Sequence, residues 1–405
     1  MNQDVLDFRS VLIEEVLPFW ERSVDHEFGG FITDLDERGQ RYGNGDKHLV
    51  MQTRMVYSFA LGHRLTGSPS YLAHARQGVE FLRRSFYDTE HGGWFRTVNR
   101  QGEPIDRDKW PYAIAFVVYA LADYYRASGD HEALRLAVET FDLLWKHAWD
   151  HQNGGIYWNL HSDWTLADPT KRIDSMLHTM EAASSLLAAT DDSRYLDHLL
   201  IICETIHDHT YDTRYACTRE WFSPDWNEVV ERTRGLINYG HIAETAWFTS
   251  VVGAFTGEHR FLNLGRTLLG FVLREGWDAR YGGIYAFGRA GEGVIDTRKI
   301  WWMQAELLGA LSFAYRLTRD VLYLDWLSAQ ARFVMTKQRD TAVGEWHSIV
   351  YADGTVQDGR KGSTAKAAYH VVQGLYHADR NLRSVEKDGI LVPGSPGIRW
   401  EDLAL

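Results

Sequence analysis

The chain has 405 residues and a formal net charge of −12, from 43 basic and 55 acidic side chains. Hydrophobic residues make up 45% and charged residues 24%, which is typical of a globular protein and excludes a mainly disordered or fibrous chain. The acidic balance argues against a nucleic-acid-binding protein, which needs a basic face. With only two cysteines, Cys203 and Cys217, the chain is not a disulfide scaffold, and we expect a cytoplasmic protein.

The N-terminus and the apolar runs predict neither secretion nor membrane insertion. The first ten residues, MNQDVLDFRS, lack the basic-then-apolar pattern of a signal peptide. The longest apolar run, Ala113 to Ala122, ends at Asp123 and has about half the length that a membrane span needs. Aromatic residues are abundant, and their rings fill large cores or cover the apolar face of a sugar.

Two short patterns recur along the chain with a shared period. The first is a Gly-Gly or Gly-Glu pair before an aromatic residue or Ile, at Gly29-Gly30-Phe31, Gly92-Gly93-Trp94, Gly154-Gly155-Ile156, Gly282-Gly283-Ile284 and Gly344-Glu345-Trp346. A weaker copy, Arg219-Glu220-Trp221, fills the gap. The second pattern occurs at Thr66-Gly67, Ser128-Gly129, Thr190-Asp191, Thr256-Gly257 and Thr318-Arg319. Because both recur about every 62 residues, six copies of one unit account for nearly the whole chain.

Each unit contains two predicted helices. The segment before the second pattern, such as Trp110 to Tyr125 or Trp301 to Tyr315, is apolar nearly all round and predicts a buried helix. The segment after it is amphipathic at helical spacing and begins near a capping residue, for which the candidates are Ser68, Asp130, Asp192 and Asp320. The Gly-Gly segments predict short strands or hairpins between one outer helix and the next inner one. The stretch from Val5 to Arg22 supplies the remaining outer helix.

Six buried and six amphipathic helices predict an all-α fold, an (α/α)6 barrel with short β-hairpins between helix pairs, as one catalytic domain over residues 1–405. The buried helices form an inner ring and the amphipathic helices an outer ring. An open solenoid is the alternative, but its terminal repeats should be polar caps. Here the first and last inner helices remain apolar, which favours the closed ring.

Polar residues collect at one level of the predicted inner helices. Twelve residues before the second pattern stand Arg54, Phe116, His178, Glu244 and Glu306. Sixteen residues before it stand Val50, Tyr112, Asp174, Gly240 and Trp302, with His241 one place further on. The sixth inner helix, roughly Ser363 to Leu382, fits the register loosely and offers His370. A single buried His is usually a hydrogen-bonded core residue, but a ring of polar groups at one level predicts a site at one end of the barrel.

These residue types suit proton transfer beside a carbonyl group. Histidines supply base and acid near neutral pH, and Arg54 would stabilise a developing enolate oxygen. We expect Glu244 to orient His241, because the two share a helix face. His178-x-x-Glu181 and His241-x-x-Glu244 also allow a metal site, since imidazole and carboxylate are good ligands. No dinucleotide fingerprint or P-loop is present, and the favoured prediction is a reaction without cofactor or metal.

Five motifs carry a resemblance to a known family. They are Gln52-Thr53-Arg54, the His178 segment SMLHTMEA, the His241 segment YGHIAETAW, the Trp302 segment WWMQAE, and Lys366-Ala367-Ala368-Tyr369-His370. Together they resemble the N-acylglucosamine 2-epimerase superfamily, which includes cellobiose 2-epimerases, mannose 2-epimerases and aldose–ketose isomerases. The resemblance implies an (α/α)6 barrel and cofactor-free chemistry at C2 of a reducing sugar.

The resemblance also implies roles for particular residues. His178, His241 and His370 would be the acid and base groups, and Arg54 would anchor the C1 and C2 oxygens. The substrate-binding candidates are Tyr112, Asp174, Trp226, Trp302, Gln304 and Glu306, with Trp226 in an aromatic loop that forms part of the pocket wall. Cellobiose epimerases resemble Trp-Lys-x-Pro-Tyr-His in the last helix, whereas this chain has Ala365 in place of the Trp. The missing ring favours a monosaccharide such as mannose or glucose.

The resulting hypothesis is a 2-epimerase that works through an open-chain sugar. His241, held by Glu244, helps to open the ring, and one of His178 and His370 removes the C2 proton. Arg54 then holds the cis-enediolate. Reprotonation at C2 gives the epimer and reprotonation at C1 gives the ketose, so an aldose–ketose isomerase is the first alternative. The others are a glycoside hydrolase with two carboxylates drawn from Asp174, Glu244 and Glu306, and a sugar-binding module without catalysis. The expected partner is a small sugar, and a homodimer is compatible with the sequence.

Overall fold

The computed structural model describes residues 7–405, apart from the side chain of Asp388. Six long helices form the inner ring: Leu49–Thr66, Pro111–Ser128, Ile173–Thr190, Tyr239–Thr256, Trp301–Thr318 and Tyr369–Asp388. Each packs against the next in chain order, and the sixth packs against the first. The inner ring therefore closes, and the prediction of an (α/α)6 barrel is confirmed.

The Thr-Gly pattern marks the ends of the first five inner helices. At each end one residue takes the left-handed backbone conformation, and its N–H donates to the carbonyl four residues earlier. Glycine adopts this conformation without steric cost and serves at three of these ends, whereas Asp191 and Arg319 adopt it with a side chain present. The recurring sequence pattern is therefore a recurring helix stop.

Amphipathic helices form the outer ring. Five are Pro69–Phe81, His131–Ala148, Arg194–Thr205, His259–Phe271 and Val321–Phe333. Four of them continue into a π-helical turn, at Leu82–Phe86, Ile206–Thr210, Val272–Gly276 and Val334–Gln338. In the predicted first outer helix, Phe8–Val11 and Leu17–Trp20 are joined by the π turn Leu12–Val16; Val5 and Leu6 lie outside the described residues. Asp130 and Asp320 cap their helices through side-chain oxygens, whereas Ser68 stands at the cap position without such a bond.

Short antiparallel strands join neighbouring repeats at one end of the barrel. The three-stranded sheets are Lys47–His48 with Thr97–Val98 and Pro104–Asp106, Tyr157–Leu160 with Leu166–Arg172 and Trp221–Phe222, Leu236–Asn238 with Phe287–Arg289 and Gly293–Asp296, and Lys299–Ile300 with Ile349–Val350 and Val356–Asp358. Tyr211–Asp212 and Cys217–Thr218 form a two-stranded sheet. In each larger sheet, one strand leads directly into an inner helix. The sheets therefore surround the N-terminal ends of the inner helices.

A buried ion pair recurs beside these sheets. The pairs are Asp25–Lys47, Asp88–Lys109, Asp150–Lys171, Asp278–Lys299 and Asp340–Lys361, with nitrogen–oxygen distances of 2.6 to 3.0 Å. Each lysine side chain is fully buried. In each pair the acidic residue lies 21 or 22 positions before the lysine, a relation that the sequence patterns did not reveal. Breaking a buried pair by removing one partner typically costs about 3–5 kcal/mol, so these contacts fix the loops around the barrel rim.

The other end of the barrel is covered by the last residues of the chain. The indole of Trp400 donates to the carbonyl of Ser184, and the guanidinium of Arg380 donates to the carbonyls of Leu403 and Ala404. The pocket at the N-terminal ends of the inner helices is thus the open end of the lumen. None of the helices described is both long and apolar enough to cross a bilayer.

The predicted start of the sixth inner helix is wrong. The helix begins at Tyr369, and the residues from Ser363 to Lys366 form a tight turn in which each end donates its N–H to the carbonyl of the other. This turn reaches the pocket wall through Thr364 and Ala365.

Candidate active site

A pocket of about 330 Å³ opens at the sheet-bearing end of the barrel. Eight of the eleven predicted site residues line it: Arg54, Tyr112, Asp174, His178, His241, Glu244, Trp302 and His370. They come from all six inner helices, because residues one helical turn apart at the same level face the same lumen. The structure therefore brings together most of the polar residues that the register of the repeats singled out.

His178 is held by a carboxylate on its own helix. Its Nδ1 lies 2.5 Å from Oε2 of Glu181, and Oε1 of Glu181 accepts hydrogen bonds from the Tyr369 hydroxyl and from Nε2 of Gln373. A carboxylate at Nδ1 fixes the proton there and leaves the Nε2 lone pair unprotonated. Burial lowers the pKa of His178 despite the neighbouring Glu181, so the imidazole is neutral at physiological pH.

His370 is held in the same way by Glu306. Its Nδ1 lies 2.7 Å from Oε1 of Glu306, whose Oε2 accepts from the indole N–H of Trp247 at 3.1 Å. Glu306 was predicted to bind substrate, but it lies behind the imidazole and acts on the pocket through His370. Nε2 of His370 lies 3.4 Å from Nη2 of Arg54, which has hydrogens only to donate. Burial and the Arg54 charge hold the pKa of His370 well below its ordinary value, as a base requires.

The partner of His241 is Glu220, and the prediction that Glu244 orients it is wrong. Nδ1 of His241 lies 2.7 Å from Oε2 of Glu220, at the edge of the sheet that contains Trp221–Phe222. The imidazole turns toward this sheet, so the Glu one helical turn further along the helix does not meet it. A signal for Glu220 was present in the sequence, because it replaces the second glycine of the Gly-Gly pattern in the fourth repeat.

Glu244 lines the pocket with a carboxyl oxygen, Oε1, that has no partner among the described residues. Burial raises its pKa well above the ordinary value, and the nearby charges of Glu306, Glu181 and Asp174 add to the shift. Burial also raises the pKa of Glu306, to about 8, and a proton on Glu244 leaves Glu306 as the ionised member of this pair. The neutral carboxyl of Glu244 can donate a hydrogen bond or a proton. Glu244 thus offers an acid beside the imidazole of His178.

His178, Glu181 and Glu244 could also hold a metal ion. One ligand atom from each lies within 4.8 Å of the others, and all three side chains are buried. Imidazole and carboxylate oxygen are suitable ligands for several divalent metals. An ion would have to replace the hydrogen bonds that Glu181 already accepts. The prediction of a metal-free reaction therefore needs a direct test.

Arg54 is a buried cation without a carboxylate partner. Among the side chains that the structure describes, no carboxylate oxygen lies within 4.0 Å of its guanidinium; instead it donates to the Tyr112 hydroxyl at 2.8 Å and to the carbonyl of Ala365 at 3.3 Å. The rings of Phe116 and Tyr369 lie 4.5 and 5.0 Å from the guanidinium carbon. Burial raises the pKa of Tyr112 to about 12, so its hydroxyl keeps its proton. The positive charge is available to an anion in the pocket.

A second cation, Arg172, lines the pocket and was missed by the sequence analysis. Its Nη1 forms an ion pair with Oδ2 of Asp174 at 2.8 Å, and its guanidinium lies over the rings of Trp158 and Trp221 at 5.5 and 5.3 Å. Oδ1 of Asp174 has no hydrogen-bond partner in the described part of the chain and can accept from a sugar hydroxyl. No periodic signal marks Arg172, because it precedes the third inner helix. Arg172 and Asp174 together give the pocket wall hydrogen-bond donors and an acceptor.

Trp302 forms the surface between two of the histidines. Its ring centroid lies 5.0 Å from that of His241 and 5.5 Å from that of His370. An indole at this place can cover the apolar face of a pyranose while both imidazoles stay within reach of its ring atoms.

Besides Glu306, two predicted substrate-binding residues lie outside the pocket, Trp226 and Gln304. The Trp226 ring stacks on His209 with centroids 4.5 Å apart, and its indole N–H donates to the carbonyl of Asn153 at 2.7 Å. Gln304 is fully buried and pairs its amide with both backbone groups of Ile284. Gln304 lies on the face of its helix that meets the adjacent Gly-Gly turn, so its role is structural.

Comparisons with known proteins identify the family to which the chain is similar. Residues 30–374 match the model of the N-acylglucosamine 2-epimerase (GlcNAc 2-epimerase) family. The cellobiose 2-epimerase of Bacteroides fragilis is 27% identical over 379 residues, covering 90% of this chain and 95% of that protein. The D-mannose isomerase of Marinomonas mediterranea is 25% identical over 391 residues, covering 94% of this chain and 98% of that protein.

Solved structures give the same relationship. Cellobiose 2-epimerase from Spirochaeta thermophila superposes with a TM-score of 0.88 at 30% identity, over 95% of this chain and 98% of that one. A family 76 glycoside hydrolase from a bovine Bacteroides thetaiotaomicron strain has a TM-score of 0.67 at 13% identity, over 94% of this chain and 78% of that one, and so shares the fold alone. The chain belongs to the N-acylglucosamine 2-epimerase family and is an isomerase-class enzyme of this group of sugar epimerases and isomerases.

Proposed function

We propose that this protein is an aldose 2-epimerase that acts on a monosaccharide such as mannose or glucose. One observation carries the proposal: three imidazoles, each held at Nδ1 by its own carboxylate, line the same pocket as a buried arginine that has no carboxylate partner among the described residues. Bases with a fixed tautomer and an unpaired cation are what proton abstraction next to a carbonyl requires.

The reaction begins with ring opening, which exposes the C1 carbonyl. His241, oriented by Glu220, exchanges the proton between the C1 hydroxyl and the ring oxygen. Nε2 of His370 then takes the proton from C2, and the electron pair moves through the new C1–C2 double bond onto the carbonyl oxygen. The two N–H groups of Arg54 bind the resulting cis-enediolate. The substrate is neither oxidised nor reduced overall, so the reaction needs no redox partner.

The epimer forms when a second group returns a proton to the opposite face of C2. The sequence pointed to His178 and His370 for the two proton transfers at C2 without giving their order; with His370 as the base, His178 is the first candidate, and the neutral carboxyl of Glu244 provides a proton beside it. His241, whose ring lies beside Trp302 as that of His370 does, is the second candidate. Substitution distinguishes the two candidates. When the group that returns the proton to the opposite face is replaced, His370 can still exchange the C2 proton on its own face, so C2–H exchange continues without net epimerisation. We expect this result from His178→Ala if His178 returns the proton, and from His241→Ala if His241 does.

An aldose–ketose isomerase is the second candidate function. The same enediolate gives a ketose when the proton returns to C1, and three of the relatives with high coverage are D-mannose isomerases. The same residues can produce the epimer or the ketose, so the distribution of products distinguishes the two functions.

The pocket wall favours a monosaccharide. Thr364 and Ala365 line the pocket just before the sixth inner helix, where the resemblance to cellobiose epimerases leads one to expect a tryptophan. A methyl side chain cannot provide the ring surface on which a second sugar unit would stack. We therefore expect weaker turnover of cellobiose than of mannose or glucose.

The carboxylates of the site do not suit a glycoside hydrolase. That reaction needs two carboxyl groups on either side of the scissile bond. Here Glu181, Glu220 and Glu306 each hold an imidazole, and Asp174 is paired with Arg172. Glu244 alone remains available to act as an acid, so the opposing nucleophile or base is missing among the carboxylates that surround the pocket.

The test is incubation of the enzyme with mannose, glucose and cellobiose in D₂O, followed by NMR of the C2 position. We expect deuterium at C2 of mannose and glucose with appearance of the epimer, and little change in cellobiose. Arg54→Ala, checked for folding by circular dichroism, is the control for the site. Fructose as the main product would establish the isomerase alternative, and no exchange with any aldose would refute the proposed chemistry.

A further inference from the structure

Two repeats have a glutamate where the others have the second glycine of the Gly-Gly pattern. Glu220 and Glu345 take the place filled elsewhere by Gly30, Gly93, Gly155 and Gly283. Glu345 has a φ of 62°, in the left-handed region that favours glycine. The chain thus places a carboxylate where the backbone conformation disfavours any side chain. At Glu220 the carboxylate orients His241, which raises the question of what Glu345 does.

Glu345 forms a fully buried ion pair with Lys366. Oε1 of Glu345 lies 2.8 Å from Nζ of Lys366, and both side chains have no exposed surface. The spacing of 21 residues is the same as between Glu220 and His241. Oε2 of Glu345 accepts the indole N–H of Trp20 at 2.7 Å, which connects the pair to the first outer helix. This pair is additional to Asp340–Lys361, the repeated pair of the same repeat.

Lys366 closes the turn that carries Ala365. The N–H of Ser363 donates to the carbonyl of Lys366 at 3.0 Å, and the N–H of Lys366 donates back at 3.2 Å. Inside this turn, the carbonyl of Ala365 accepts from Nη1 of Arg54. A continuous set of contacts therefore runs from Glu345 through Lys366 and the turn to the guanidinium in the pocket.

We propose that Glu345 and Lys366 are positioning residues for the reaction: their ion pair fixes the turn of residues 363–366 and thereby holds Arg54 in the orientation that binds the enediolate. Neither residue lines the pocket, so they act only through Ala365 and Arg54. The catalytic part of this inference rests on the proposed function. The placement of Arg54 does not, and it can be measured without a substrate.

The kinetic test uses Glu345→Gln and Lys366→Met. We expect kcat to fall about 10- to 100-fold with a smaller change in KM, because a misplaced Arg54 weakens binding of a charge that exists only after proton abstraction. Asp340→Asn and Lys361→Met are the matched controls, since they break the other ion pair of the same repeat. They should lower Tm and leave kcat unchanged.

The double variant Glu345→Gln/Lys366→Met separates positioning from stability. Removing both partners leaves no unpaired buried charge, so Tm should recover relative to the single variants. The turn remains unfixed, and kcat should stay low. Recovery of kcat together with Tm would show that the pair has only a structural role and would overturn the proposal.

A chemical probe reports on Arg54 directly. Phenylglyoxal modifies accessible guanidinium groups, and peptide mass spectrometry gives the rate at Arg54. We expect several-fold faster modification in both single variants and in the double variant, and the native rate in Asp340→Asn. Equal rates in all proteins would overturn the proposal. If the native enzyme turns over no sugar, the proposed function fails, while the labelling rates still decide whether Glu345 and Lys366 position Arg54.

Discussion

Glu220 accepts a hydrogen bond from Nδ1 of His241 at 2.7 Å, although a helical neighbour, Glu244, lies only three residues from that histidine. The two glutamates therefore have different chemistry. Glu220 fixes a tautomer, whereas Glu244 presents an unpaired carboxyl oxygen to the pocket and has a pKa raised well above the ordinary value by burial.

The first prediction separates these two glutamates. Glu220→Ala should lower turnover about 10- to 100-fold, because an unoriented imidazole is a poor acid or base. Glu244→Gln should keep C2–H exchange through His370 but lower net epimerisation about 10- to 100-fold, since an amide still donates a hydrogen bond but cannot give up a proton. Steady-state kinetics and C2–H exchange in D₂O on the best aldose measure the two effects. Full net epimerisation by Glu244→Gln would show that Glu244 gives no proton to the reaction.

The second prediction concerns the bases. His178→Ala and His370→Ala should each lower turnover by about 10² to 10⁴, the usual contribution of a positioned acid or base. Both variants should remain folded, because the removed groups face a pocket rather than the packed core. Circular dichroism and Tm provide the control. A variant that keeps full activity would remove that residue from the mechanism, and one that unfolds would indicate a core histidine.

The third prediction is the pH dependence. His370 has a pKa well below 6.5 because burial and the Arg54 charge disfavour its protonation. The acidic limb that it contributes to kcat/KM should therefore lie below pH 6.5, and Arg54→Ala should move it upward in the residual activity. The same shift makes stability depend on pH. Between the low pKa of His370 in the folded chain and its ordinary value of 6.5 in the unfolded chain, the unfolded chain binds a proton that the folded chain lacks. The free energy of unfolding therefore falls as the pH drops below 6.5. A limb above pH 6.5 would contradict the assignment of His370 as base.

The fourth prediction concerns metal. The substrate supplies its own electron sink once its ring is open, and Arg54 can neutralise the enediolate. Activity should therefore survive exhaustive dialysis against EDTA and need no added nucleotide. Loss of activity, restored by a divalent ion, would make His178, Glu181 and Glu244 metal ligands. Metal analysis of the protein before dialysis provides an independent readout.

The fifth prediction tests the structural role of Gln304. Gln304→Leu should lower the free energy of unfolding by about 1–3 kcal/mol, because the N–H and carbonyl of Ile284 lose their partners in a buried place. KM for the sugar should not change. Chemical denaturation and steady-state kinetics measure the two effects. A raised KM with unchanged stability would return Gln304 to the binding site.

The sequence by itself determined the barrel and the level of the site. The left-handed helix stop at Gly67 recurs at the ends of the first five inner helices, because each of them must turn back at the same height. Residues at fixed distances before that stop then face one lumen, which is why the sequence places Arg54, Tyr112 and His178 together. The pairing of His178 with Glu181 was also accessible, since the two lie one turn apart on one helix.

Only the tertiary structure decided which carboxylates hold the other two histidines. His241 and Glu244 have the same spacing as His178 and Glu181, yet His241 bonds to Glu220 and His370 to Glu306, 21 and 64 residues away. The direction of an imidazole depends on which acceptor the neighbouring element brings within about 3 Å, and helical periodicity contains no information about that distance. The same reason hid the role of Gln304, whose amide meets the backbone of an adjacent turn. Spacing along one helix fixes the face on which a side chain lies, whereas packing between elements fixes its partner.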